Sequence, residues 1–237
     1  NCKDLDYKVS FSSEIPFLKL RVRLKKEIVT MGRPEVMPSQ QVGHYVNAED
    51  WNNFIKQDDV VLIDTRNDFE VKLGSFYGSV NPETKSFREF PLWWRKNKDK
   101  YQGKKIAMFC TGGIRCEKST SYLINNGVKD VFHLKGGILN YFEKLRLNEK
   151  SKWKGECFVF DQRVSLTPEL MAGNFELCFG CRNPINEKDK VQECYEPGVT
   201  CPNCHDIKSE KKKSGLRERQ KQALLNFMRK KKKVMSL

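Results

Sequence analysis

A chain of 237 residues, 38% of them hydrophobic, can bury one medium core and carry a second small domain. No apolar run approaches the roughly eighteen residues of a membrane helix, and no basic stretch followed by an apolar segment opens the chain, so neither a membrane span nor a secretory signal is expected. Lysine and arginine number 44 against 30 acidic residues, a formal +14 that favours a polyanionic partner, and nine cysteines fit reduced thiols in the cytoplasm better than a disulfide scaffold.

The chain opens with Leu5, Tyr7 and Val9 in alternation. Leu18 to Leu24 alternates apolar with basic residues, which predicts a half-buried strand whose charged face carries Arg21 and Arg23 and which runs on into Lys25 and Lys26. Gly32, Pro34 and Pro38 mark residues 31–41 as a linker. Asn47 then caps a helix whose first turn holds Glu49 and Asp50. Val60 to Ile63 is a continuous apolar run, as in a strand buried on both faces, and it ends in Asp64-Thr65-Arg66. Lys105 to Phe109 is a second such strand, and the helix after it carries Tyr122, Leu123 and Ile124 and stops at Gly127. Val131 to Leu134, Gly136-Gly137 and a helix over 138–147 complete the alternation, which predicts a parallel α/β sheet with helices on both faces. His133, among apolar residues, reads as a buried histidine and not as a base.

The segment between the second strand and its helix, Cys110-Thr111-Gly112-Gly113-Ile114-Arg115-Cys116, carries the chemistry. Cys110 sits at a strand's carboxyl end, where open α/β sheets place their ligands. Two glycines allow successive N–H groups to turn inward at the sulfur, and the following helix adds its positive end, which together lower a thiol pKa. Cys116 reads either as a packing residue or as a resolving thiol, and Arg115 either as a clamp for an anion or as a partner of Asp64 or Glu70 that holds the loop closed. Asp64 reads as a brace that accepts backbone or arginine hydrogen bonds.

These residues resemble the active-site loop of rhodanese-like domains, whose catalytic cysteine opens a six-residue loop. Cys110 to Arg115 has that length, whereas phosphatases of the same fold use a loop one residue longer. Asp64-Thr65-Arg66, Gly78-Ser79-Val80-Asn81 and Leu134-Lys135-Gly136-Gly137 match further motifs over about residues 42–150. Gly74-Ser75-Phe76 departs from the Gly-His-Ile of many relatives. The string CTGGIRCEKS is similar to one branch, the rhodanese-like tRNA uridine hydroxylases. That resemblance implies a rhodanese-like α/β domain at 42–150, preceded at 1–30 by the end of an N-terminal ferredoxin-like domain that is largely missing. It also implies oxygen-dependent conversion of the wobble uridine in the anticodon loop of tRNA to 5-hydroxyuridine, with Cys110 catalytic, Thr111 to Arg115 as its loop, and Asp64, Arg66 and Cys116 supporting. Molecular oxygen is then a co-substrate, and the electron donor is not written in the residues. Sulfur transfer through a persulfide on Cys110, the reaction of most rhodaneses, is the alternative, and a catalytically silent RNA-binding module is a third possibility that the intact loop weighs against.

Near residue 150 the composition changes. Glu156 to Asp161 predicts one more strand, and a Cys-rich segment at 151–207 follows. Cys178-x-x-Cys181 and Cys201-x-x-Cys204 stand nineteen residues apart, the spacing of a four-thiolate zinc ribbon. Cys194 and His205 are spare donors nearby. Residues 208–237 form a basic tail that reads as solvated or as a helix laid on RNA phosphates, together with Arg21, Arg23, Lys25 and Lys26. No DNA or membrane partner is expected, and protein partners are not indicated.

Overall fold

The computed structural model describes residues 12, 15–17, 19, 22–145 and 151–235. It divides into two compact units, Asn1–Gly173 and Asn174–Leu237. The first unit runs β1 (His44–Val46), α1 (Ala48–Phe54), β2 (Val60–Asp64), α2 (Asp68–Val71), β3 (Gly74–Phe76), α3 (Phe90–Asn97), β4 (Lys105–Phe109), α4 (Ile114–Asn125), β5 (Val131–Leu134), α5 (Gly137–Leu145), β6 (Trp153–Gly155), β7 (Cys157–Phe158) and β8 (Ser165–Leu166). The second holds β9 (Glu176–Leu177), β10 (Pro184–Ile185), α6 (Glu187–Lys190) and α7 (Glu210–Met235).

The expected parallel sheet is present, in the order β1-β5-β4-β2, with Val80 added to β2 through a parallel bridge from Ile63. The central strands β2, β4 and β5 are mainly apolar because both faces are covered, whereas β1 at the edge exposes His44 and Tyr45. Ile106, Met108 and Cys110 of one β4 face pack with Phe90, Trp94, Tyr122 and Leu123 of α3 and α4. Ala107 and Phe109 of the other face pack with Trp51, Ile138, Tyr141 and Phe142 of α1 and α5. Period-two alternation thus sends alternate β4 side chains into two separate helix layers.

The structure departs from the sequence reading in several places. Among the described residues no strand forms at 22–24, and Val22 and Leu24 are exposed. An alternating segment makes a strand only where a sheet offers it a partner. Leu5, Tyr7, Val9, Leu18, Leu20 and Arg21 lie outside the described residues, as does the predicted end of α5 at 146–147. Residues 31–41 lack helix and strand, yet Met31 and Val36 are buried in the α3–α4 layer. Glu27 fixes this stretch: its carboxylate accepts the N–H groups of Met31, Gly32 and Arg33 and pairs with Lys118 of α4 at 2.9 Å. Of the predicted strand over 156–161 only Cys157–Phe158 forms, as β7 antiparallel to β8, while β6 just before it pairs antiparallel to β3. These pairings keep residues 151–173 with the sheet, so the units divide after Gly173 and not near 150.

One buried ion pair ties β2 to that ribbon. Arg66, with no exposed surface, donates from Nε and Nη2 to Asp64 at 2.9 and 2.6 Å and from Nη2 to the Gly74 carbonyl at 2.6 Å. Its guanidinium lies 5.0 Å from the Trp153 ring centroid. Ser75 donates to Asp64 at 2.7 Å. Asp64 thus accepts both arginine and backbone hydrogen bonds from Arg66. Removing one partner of such a pair leaves an uncompensated buried charge at a cost of about 3–5 kcal/mol. Arg66→Met is expected to lose that much stability by urea denaturation, and a loss under about 1 kcal/mol would show the pair to be replaceable.

Candidate active site

Cys110 follows the last residue of β4 and is 1% exposed. The loop after it is oriented from outside. Ile138 and Leu139, in the first turn of α5, donate their amides to the Cys110 and Thr111 carbonyls at 3.0 and 3.2 Å. A helix start has such unpaired donors to give. With the carbonyls drawn outward, the loop amides turn inward, and the Gly113 N–H donates to the Cys110 sulfur at 3.1 Å. Gly113 caps α4 at φ +88, a left-handed conformation. Gly137, at φ +72, lies so close that a Cβ there would stand 2.6 Å from the Cys110 and Thr111 carbonyl oxygens. Helix α4 begins at Ile114, so Arg115 and Cys116 stand in its first turn.

Burial pushes the Cys110 thiol up. A hydrogen bond from the Cys116 thiol, the Arg115 guanidinium and the amides of Cys116 and Arg115 pull it down further, to about 6. Burial and the bond to Cys110 push Cys116 well up, and its sulfur also lies 3.4 Å from the Thr65 hydroxyl. The pair is thus a thiolate at Cys110 and a neutral donor at Cys116, which packs in the α3–α4 layer as well.

Arg115 is paired. Nη1 and Nη2 donate to the two oxygens of Glu70 at 2.6 and 2.7 Å, and Glu70, which has no exposed surface, also accepts the Asn67 N–H at 3.0 Å. Of the alternatives left by the sequence, the structure holds the one in which Arg115 closes the loop on Glu70. Asn67 and Glu70 at cap spacing were the available signal for this acid. Cys157, which sequence reasoning did not single out, is buried with its thiol pushed up to about 12, partly opposed by Arg66. His133 is buried on β5 with its ring 4.3 Å from Tyr45.

In the second unit the sulfurs of Cys178, Cys181, Cys201 and Cys204 all lie within 4.8 Å of one another. Sulfurs about 2.3 Å from a central ion form a tetrahedron with edges of about 3.8 Å. The Cys181–Cys201 and Cys201–Cys204 separations are 3.7 and 3.8 Å, so the cluster is compatible with a metal site. Among the described residues that cluster includes neither Cys194 nor His205. His205 instead meets Asp206 at 2.8 Å, and the Cys194 thiol lies 3.9 Å from the Gln192 amide oxygen. The expected basic tail is the helix α7, joined to its unit by Arg217 on Glu196 at 2.7 Å and by Arg219 on the Phe179 carbonyl at 2.6 Å. Arg23, Lys25 and Lys26 are exposed. No helix among the described residues is long and apolar enough to cross a membrane.

Comparison with known proteins agrees with this geometry. The family model of the rhodanese-like domain matches residues 47–144. A protein of Ruegeria pomeroyi named tRNA uridine(34) hydroxylase is 58% identical over 94% of this chain and 74% of its own length. Proteins of the same name from Gluconobacter oxydans and Picosynechococcus are each 53% identical, over 94% and 89% of this chain and 72% and 70% of theirs. The chain belongs to the tRNA uridine(34) hydroxylase family. In this member of the family the rhodanese-like domain holds the Cys110 cradle, and the matched region ends before β6 and the hairpin of β7 and β8, which pack beside the loop.

A thiol whose pKa is lowered to about 6 is thiolate above that pH, so its alkylation should rise through pH 6 and be flat by pH 8. Iodoacetamide labelling of Cys110, followed by peptide mass, is expected to show that midpoint. Cys116→Ala, which removes a donor to the thiolate, should move it upward. A wild-type midpoint near 9 would refute the cradle.

Proposed function

We infer that this chain hydroxylates the wobble uridine of tRNA in the cytoplasm, with Cys110 as the reacting group and the anticodon loop as the part engaged. The observation that carries the reading is a buried thiolate in an amide cradle within a family whose curated members carry that name. Uracil carbon 5 becomes nucleophilic when a thiolate adds at carbon 6, and the resulting enolate can take up oxygen. The loop amides and Arg115 stabilise charge on the oxygens that form. Dioxygen, two electrons and two protons convert uridine to 5-hydroxyuridine and water, and loss of the carbon-5 proton with departure of the thiolate restores the ring. The electrons come from an external donor. A base in a single-stranded loop can be splayed out at little cost, which suits an anticodon. Arg23, Lys25, Lys26 and the lysines and arginines of α7 supply phosphate contacts, with Arg21 expected to join them. Mass spectrometry of tRNA nucleosides from cells with and without the gene should show loss of 5-hydroxyuridine derivatives, restored by the wild-type gene and not by Cys110→Ser. Loss of a thiolated nucleoside instead would favour sulfur transfer through a Cys110 persulfide.

The four-cysteine cluster fits zinc in a structural role, held by Cys178, Cys181, Cys201 and Cys204. Beyond the cysteines, the buried apolar side chains of this unit among the described residues are Ile185 and Val199, with Tyr195 packed against the cluster, too little apolar surface to hold 64 residues without a staple. Purified protein should carry about one zinc per chain by elemental analysis. Cys201→Ser should lose it and make the region around 174–207 sensitive to protease, and a metal-free protein equally resistant with and without chelator would overturn the assignment.

A further inference from the structure

Phe160 lies beside the loop and is 64% exposed, although its neighbours Phe158 and Val159 are buried. It projects from a tight hairpin. Val159 donates to the Val164 carbonyl at 2.9 Å, and Asp161 binds Arg163 through the backbone N–H at 2.9 Å and through Nη2 at 2.6 Å. Phe158 meets Phe160 edge to face at 5.0 Å and Phe69 at 5.0 Å from another direction. The hairpin is joined to the active-site loop at two points. Thr111 donates its hydroxyl to the Phe158 carbonyl at 3.4 Å, and the Arg115 guanidinium lies 5.8 Å from the Phe160 ring centroid. Glu70 fixes that guanidinium, so the ring has a held cation against it and much of its surface open to solvent.

We propose that Phe160 is a stacking platform for an unstacked nucleobase of the substrate RNA, the wobble uracil or its immediate neighbour, at the entrance to the Cys110 loop. An exposed aromatic ring on a rigid support binds a base without a hydrogen-bond code, because every base has a π face. A cation against the ring adds attraction and orients it. The +14 chain supplies phosphate contacts that are indifferent to base identity, and a ring next to the reactive sulfur adds what those contacts lack, the placement of one base. This inference rests on the reading that tRNA is the substrate, and the experiment separates the two.

Binding of the full chain would be measured by fluorescence anisotropy with two anticodon stem-loop RNAs, one with uridine at the wobble position and one abasic there, with partner RNAs abasic at the flanking loop positions. Wild type should bind the intact RNA, and Phe160→Ala should bind it roughly 5- to 150-fold more weakly, the range found for loss of one base–aromatic stack. Phe160→Leu, which keeps apolar bulk without the π face, should be weakened too, and Phe160→Trp should restore binding. On the RNA lacking the stacked base the Phe160→Ala penalty should vanish, a non-additivity that a merely structural role would not produce. Unchanged thermal midpoints and Cys110 alkylation would show that the variants fold. If wild type binds and Phe160→Ala binds equally well, or if its penalty persists on every abasic RNA, the stacking role falls and the tRNA reading stands. If wild type binds none of these RNAs, both fall.

Discussion

The site depends on the direction in which a few peptide groups point. Ile138 and Leu139 take the carbonyls of Cys110 and Thr111, and that polarity forces the loop amides toward the sulfur. Helix α5 contributes its first unpaired donors, and β4, lying in mid-sheet between β5 and β2, fixes where the loop begins. Gly137 is required because the two backbones approach too closely for a side chain. The thiolate at Cys110 follows from the Cys116 thiol, the Arg115 guanidinium and the amides of this arrangement acting together, since burial alone would have kept the sulfur protonated.

Around the cradle the charged groups are buried in pairs. Arg66 with Asp64 joins β2 to the β3–β6 ribbon, Arg115 with Glu70 joins α4 to α2, and Lys118 with Glu27 joins α4 to the stretch before the sheet. Buried pairs of this kind add little net stability over apolar residues of the same shape, but they are costly to break singly and so specify geometry. Two of the three lie on the first turns of α4, within eight residues of Cys110. The loop is held from several sides by contacts that tolerate few alternatives.

Legibility followed the length scale of the signal. β2, β4 and β5 were visible because continuous apolar runs mean burial on both faces, and the loop was visible because two glycines beside a cysteine leave few other uses. The four metal-site cysteines were visible from spacing alone and do converge. β1, at three residues, is too short to leave a periodic trace, and the burial of Met31 and Val36 arises from a carboxylate cap at Glu27 that no local pattern marks. The alternation that runs to residue 24 misled at 22–24, because it is a necessary feature of a strand and not a sufficient one. The partner of Arg115 could be narrowed only to Asp64 or Glu70, and only folding shows that Arg66 takes the first and leaves the second.

The closed geometry constrains the chemistry. A cysteine that is 1% exposed cannot meet carbon 6 of a pyrimidine while the loop keeps this shape. Any covalent addition therefore includes an opening step. Where that step parts Arg115 from Glu70 it gives up two short hydrogen bonds, so the open form is the minor one without substrate. The substrate itself carries the group that offsets this cost, because a phosphate can replace a carboxylate on a guanidinium with two parallel hydrogen bonds. Binding of a polyanion and exposure of the sulfur are then linked by mass action, and free uracil, which lacks the phosphate, would find the site shut.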